Sequence, residues 1–296
     1  MVHVTAFEIS LVLSSALLHA LWSASIKGSR SPLGFNLLQL APPLVAACLL
    51  PIWISPAAIP LEVWGIVAGT GIFHGLYFYW FARALETGAL SVVYPIARSA
   101  PAFLPLVAIP LLGETLSLRG GVGIAVVMAG MWAVQTDGFQ TRGLARGGSR
   151  GVGFAMLTLA ASVGYSICDK AAMARLAVAP WDASIPPAAV YYVLLCASGA
   201  IVFVPLALRR VSFGDLRALA RTEMRTACFA AVIGFVGYGL ILQALRTAPV
   251  SYVVATRQSS VLFAIAIAAL RWRERPTRLH VLGAVATVIG VALVAE

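Results

Sequence analysis

Uncharged apolar runs, separated by short polar or basic stretches, recur from one end of the chain to the other. Ten of them approach the roughly 20 residues that a helix needs to cross a bilayer: 7–26, 34–54, 64–85, 91–112, 116–134, 152–168, 188–207, 227–245, 250–270 and 279–295. Strands of a membrane barrel would alternate in polarity over about ten residues, which these runs do not do. Helices remain as the way to satisfy the backbone in lipid. The pattern therefore predicts an all-α polytopic membrane protein of ten transmembrane helices. Residues 136–150, TDGFQTRGLARGGSR, read as a linker, and 209–225 as a basic interfacial loop or short amphipathic helix.

The chain repeats itself. Residues 84–134 laid over 244–294 at a constant shift of 160 give twelve identities without a gap, among them Ser91/Ser251, Ser99/Ser259, Phe103/Phe263, Glu114/Glu274, Gly123/Gly283 and Gly130/Gly290. A weaker register at a shift of 143 sets Trp22, Ser23 and Lys27 against Tyr165, Ser166 and Lys170. Two units are expected, 1–135 and 151–296, joined by 136–150. Each holds five helices, and because five is odd the second unit enters the membrane from the opposite face. The repeats are thus inverted, as in many secondary transporters.

Three segments carry a family resemblance: HALWSASIKGS (19–29), ALETGALSVVYPIARSAPAFLPLVAIPLLGETLS (84–117) and ALRTAPVSYVVATRQSSVLFAIAIAALRWRERPT (244–277). With the glycine-spaced spans that follow the last two, they resemble the EamA-type branch of the drug/metabolite transporter superfamily over nearly the whole chain. That family often has Asn after the Trp of its first helix, where this chain has Ser23. The resemblance implies ten helices, a central cavity lined by helices 1, 3, 4, 6, 8 and 9, and movement of small metabolites.

Composition narrows the alternatives. Of 296 residues, 60% are hydrophobic and 11% charged, with a mean hydropathy of +0.92, far from the half-apolar, quarter-charged make-up of soluble domains. The net charge of +10 is spread over loops rather than a folded basic face, so nucleic acid is not an expected partner. The expected partners are a small-molecule metabolite and membrane lipid, for a monomer or homodimer in the cell (inner or plasma) membrane. No cofactor is expected. The four cysteines lack CxxC spacing and histidine partners, and no phosphate-cradling glycine loop ends in Lys-Ser or Lys-Thr.

Ionisable groups inside spans are costly and mark function. Two arginines stand out, Arg98 and Arg257, each about seven residues into its helix and entering from opposite faces. Each guanidinium can grip a carboxylate or phosphate bidentately; snorkelling to a headgroup or capping of broken-helix carbonyls is the competing structural role. His19 and Trp22 share one helix face, and His74 and Tyr77 another, so both sets can line one cavity. Gln258, aligned with Arg98, Tyr165, aligned with Trp22, and Tyr94 complete the candidate substrate-binding set. Prolines 95, 101, 105 and 110 make the fourth span the expected wall of the site. All eleven acids are expected at span ends or in loops, which leaves histidine, His74 above His19, as the only proton-coupling candidate. The sequence is read as a secondary transporter of small polar metabolites, such as amino acids or related anions, working by alternating access and not as an enzyme. The alternative is an intramembrane enzyme acting on lipid or a lipid-linked phosphate.

Orientation follows from charge. Fifteen Lys and Arg fall in the loops after odd-numbered helices and four on the other side, so the richer face is expected to be cytoplasmic. Reporter fusions after the last residue should therefore report the outer compartment and fusions within 209–225 the cytoplasm. Both reporters on one side would remove a span.

Overall fold

Apolar segments with one or two internal breaks fold as ten membrane-crossing units in the computed structural model, which describes residues 4–27, 29–88, 90–135, 149–179, 185–272 and 277–295. They are α1 (Ala6–Lys27), α2 (Pro32–Leu38) with α3 (Ala41–Trp53), α4 (Leu61–Thr87), α5 (Leu90–Ala97) with α6 (Ala100–Leu112), α7 (Leu118–Gln135), α8 (Ser149–Val178), α9 (Pro187–Leu208), α10 (Phe213–Leu245), α11 (Val250–Arg257) with α12 (Ser260–Trp272), and α13 (Arg278–Ala295). A 3-10 turn, Pro56–Ala58, links α3 to α4. Among the described residues, nine of the ten units are long and apolar enough to span a membrane. The tenth, α4, falls short because Thr70, His74 and a run of tyrosines and Trp80 dilute its apolar content. Most of the 136–150 linker, and Glu274, lie outside the described residues.

Two boundaries differ from the sequence reading. The sixth span was expected to end at residue 168, yet α8 continues to Val178, because Asp169 and Lys170 find partners inside the protein. The basic stretch 209–225 takes its helical alternative from residue 213 on, but as part of the eighth span: Ser212 caps the Asp215 amide and residues 213–225 form the first turns of α10.

Close packing is built on glycine at the contact between α7 and α13. A Cβ on Gly123 would meet Gly290 O at 2.8 Å, and one on Gly130 would meet Gly283 O at 2.6 Å. The pairings 123–290 and 130–283 make the two helices antiparallel. Gly123 and Gly283 occupy equivalent positions of the repeat, as do Gly130 and Gly290, so each pair is the image of the other. Equivalent helices that run in opposite directions mean that the two repeats are inverted. Other contacts obey the same exchange: α4 lies along α8, and α1, the counterpart of α8, lies along α10, the counterpart of α4.

The two halves of the bundle are packed differently. At the face where α6 ends and α11 begins, Val12, Val63, Leu104, Met173, Leu242, Leu245 and Val253 belong to one large apolar core. Partly buried polar caps close that face further. The Glu114 carboxylate accepts from the Val250 amide at 2.5 Å and from the Ser251 hydroxyl at 2.8 Å at the start of α11. Lys170 donates to the carbonyls of Leu245 (2.9 Å) and Ala248 (2.8 Å) just past the end of α10. Glu8 accepts from the Thr247 hydroxyl and from the Thr5 amide.

Gly130→Ala should destabilise the protein by about 1–3 kcal/mol, since backbone lies where the methyl must go. Gly65→Ala, which meets nothing within 4 Å, should be neutral or mildly stabilising through helix propensity. Thermal unfolding in detergent distinguishes the two, and equal effects would contradict the glycine contact.

Candidate functional site

Helix breaks place the site. Three spans are interrupted at membrane depth, at Gln39–Leu40 between α2 and α3, at Arg98–Ser99 between α5 and α6, and at Gln258–Ser259 between α11 and α12. Pro42 and Pro43 follow the first break and Pro101 the second, where proline cannot supply the next helical amide. The second and third breaks fall at equivalent positions of the repeat. The two arginines therefore stand at the breaks themselves, where the chain turns into the protein interior.

There they meet on one imidazole. Arg98 Nη1 is 3.1 Å from His19 Nε2, and Arg257 Nη2 is 3.4 Å from His19 Nδ1. A neutral imidazole has one acceptor nitrogen and one N–H, so His19 can accept from only one of the two guanidinium groups. Arg98 Nη2 also reaches Ser260 Oγ at 3.4 Å. The guanidinium groups lie over aromatic rings, Arg98 over Tyr94 at 5.8 Å and Arg257 over Tyr238 at 5.1 Å. Among the described residues neither arginine pairs with a carboxylate. The Nε atoms of both, with Gln258 Oε1 and Ser259 Oγ, are buried without a hydrogen-bond partner. Two cations flank His19, because the breaks in both repeats converge on α1.

The arginines face a cavity. His19, Trp22, His74, Tyr77, Arg98, Tyr165 and Arg257 line it, and a smaller adjoining cavity is bounded by Gln258 and Ser162 together with Tyr165 and both arginines. Tyr94 backs Arg98 from behind. All nine candidate residues thus come together in one region. The second span (α2 with α3) and the seventh (α9) contribute as well, through Asn36, Gln39 and Pro43 and through Tyr192, Cys196 and Phe203, beyond the six helices that the resemblance implied. Trp22 Nε1 donates to Gln39 Oε1 at 2.8 Å, and Gln39 Nε2 to Asn36 Oδ1 at 2.6 Å, so one wall is a chain of indole and amides.

A carboxylate lies behind the opposite wall. Asp169 has no solvent exposure and sits about 13 Å along α8 from its end at Val178, which corrects the expectation that every acid lies at a span end or in a loop. Its Oδ1 accepts from Thr70 Oγ1 at 2.7 Å and from Tyr191 OH at 2.9 Å, and its Oδ2 from Tyr238 OH at 2.5 Å. His74 Nε2 is 3.5 Å from the same Oδ2 and 3.4 Å from Tyr238 OH. The His74 ring stacks on Tyr165 with centroids 4.1 Å apart. Three hydroxyl donors from three helices offset the cost of burying the charge, and none of them is adjacent to Asp169 in sequence. The pairing of Asp169 with Lys170 made the acid look like a span end. Tyr238 and Tyr191 gave no warning, being tyrosines within apolar runs.

Comparison with known proteins agrees with this architecture. The model of the EamA-like transporter family matches residues 6–136 and again 149–295. A protein of Sinorhizobium sp described as "Uncharacterized transporter in cobO 3'region" is 30% identical over 78 residues, or 26% of this chain, and the match spans about half of that protein's length, 55%. A solved structure, described only as the crystal structure of a protein, superposes on 99% of the chain and 97% of its own with a TM-score of 0.67 at 18% identity, a likeness of fold. With two family matches that together take in both repeats, this multi-pass membrane protein belongs to the EamA-like transporter family.

Proposed function

We propose that the protein is a secondary transporter of the cell membrane that moves small polar metabolites bearing an anionic group, such as amino acids or related carboxylates and phosphonates, as an exporter or facilitator. The observation that carries this reading is the pair of guanidinium groups at membrane depth with one neutral acceptor between them. A carboxylate supplies two acceptor oxygens where His19 supplies one nitrogen, so it can take bonds from Arg98 and Arg257 together. Trp22, Tyr77 and Tyr165 offer flat apolar walls for the rest of the molecule, and Gln39 and Asn36 offer hydrogen bonds. Pockets of this make-up, mostly aromatic with few polar groups, fix a ligand's orientation.

Alternating access is the proposed mode of transport. The units 1–135 and 151–296 are read as the two halves that rock against each other. One face is sealed by the largest apolar core and by the Glu114, Lys170 and Glu8 caps, while the cavity lies toward the opposite, arginine-rich face. Inverted repeats allow the reverse arrangement, with the seal on the other face, at little difference in energy. The anion site at the breaks stays between the two seals in either state.

Arg98→Lys should retain the charge and lose bidentate geometry, and Arg257→Lys likewise. Each should weaken transport by about 10- to 150-fold, the equivalent of 1.5–3 kcal/mol for a hydrogen bond to a charged group. Exchange of labelled L-glutamate, succinate and methylphosphonate in proteoliposomes, with insertion checked by size-exclusion profile, measures this. Unimpaired exchange by Arg98→Ala would refute the assignment.

A further inference from the structure

The His74–Asp169 pair is not needed to hold an anion, since Asp169 does not line the cavity and carries the wrong charge for one. We propose that these two residues form a proton-binding pair that couples transport to proton movement, with proton and anion travelling in the same direction. The coupling rests on the anion reading above; the proton site does not.

The geometry assigns distinct tasks to the atoms of the pair. His74 Nε2 faces Asp169 Oδ2 and Tyr238 OH, so it keeps its proton in both states. Nδ1 has no hydrogen-bond partner in the protein among the described residues, and His74 lines the cavity. The proton that comes and goes therefore sits on Nδ1 and exchanges with water in the cavity. In the loaded state an imidazolium faces a carboxylate and the pair is neutral. In the discharged state the imidazole is neutral and the pair carries one negative charge. The ionised carboxylate survives in both states because its three hydroxyl donors stay in place.

The groups that face the pair come from every neighbouring helix: Tyr165 and Cys168 from α8, Tyr191 and Cys196 from α9, and Tyr238 from α10. From α11 comes one permanent charge, Arg257, above the Tyr238 ring. Tyr238 is thus shared by both sites, with its hydroxyl on Asp169 and its face under Arg257. With neutral His74, the charges of Arg98, Arg257 and Asp169 leave the site with one net positive charge, and a proton on His74 adds a second. A bound anion favours that proton, and the proton favours the anion by the same factor, because linkage between two sites is reciprocal. Co-occupancy is the condition for symport.

Two measurements test this. In the ligand-free protein, diethyl pyrocarbonate modifies only neutral imidazole, so labelling at His74, read by mass spectrometry across pH 5 to 9, should accelerate as the pH rises. A rate that does not change, or a His74 that never reacts, overturns the proton site whatever the protein transports. In proteoliposomes with a lumenal pH dye and clamped potential, adding whichever of L-glutamate, succinate or methylphosphonate the protein exchanges should acidify the lumen. Asp169→Asn should abolish the acidification while exchange at equal pH persists within about threefold. Exchange by the wild type without acidification, or acidification that survives in Asp169→Asn, overturns the coupling and leaves anion transport standing. Failure to exchange all three anions removes the anion reading and the coupling with it, and leaves the labelling to decide the proton site.

Discussion

Two positive charges held at membrane depth around a single neutral acceptor are the feature on which the rest of the site depends. A guanidinium in lipid is tolerated only inside a bundle or cavity, and here the breaks at Arg98 and at Arg257 point both groups inward onto His19. Because His19 can satisfy one of them, the arrangement is incomplete without a further acceptor. Tyr94 and Tyr238 lend their ring faces, and Asp169 lends its charge at one remove through Tyr238. The excess positive potential stays in the cavity.

Breaks of this kind free backbone groups that lipid cannot satisfy. The structure restricts them to segments enclosed by other helices, with α1 against α11 and α12 and with α8 against α5 and α6. The outer pair α7 and α13 does the opposite work. Their glycine contacts bring unbroken helices to backbone distance, and small residues at such contacts are the usual source of helix association where lipid provides no hydrophobic drive. This pair joins the two repeats beside the interrupted spans.

Polar caps close one face of the bundle. Glu114 of the first repeat, on the first amides of α11, uses the helix dipole of the second to hold the two together, while Lys170 caps the carbonyls at the end of α10 within the second repeat. The contacts are charge-assisted and few. They close one face beside the largest apolar core.

Much of this protein is decided locally. Lipid requires helices of a certain length, so the ten spans are legible in the apolar runs, and an odd number of helices per repeat makes inversion follow from the 160-residue register. The arginines were legible for the same reason: a charge inside an apolar run is conspicuous. What tertiary structure decided is which polar groups meet. His19 stands between Arg98 and Arg257 only because two breaks, 160 residues apart in the chain, converge on α1. Asp169 read as the end of a span because a charge next to Lys170 usually is one, and only the hydroxyls of Thr70, Tyr191 and Tyr238, brought in from three other helices, make its burial affordable. Span length is a property of one segment and its solvent; the satisfaction of a buried charge belongs to all the segments around it, and no single stretch of sequence contains it.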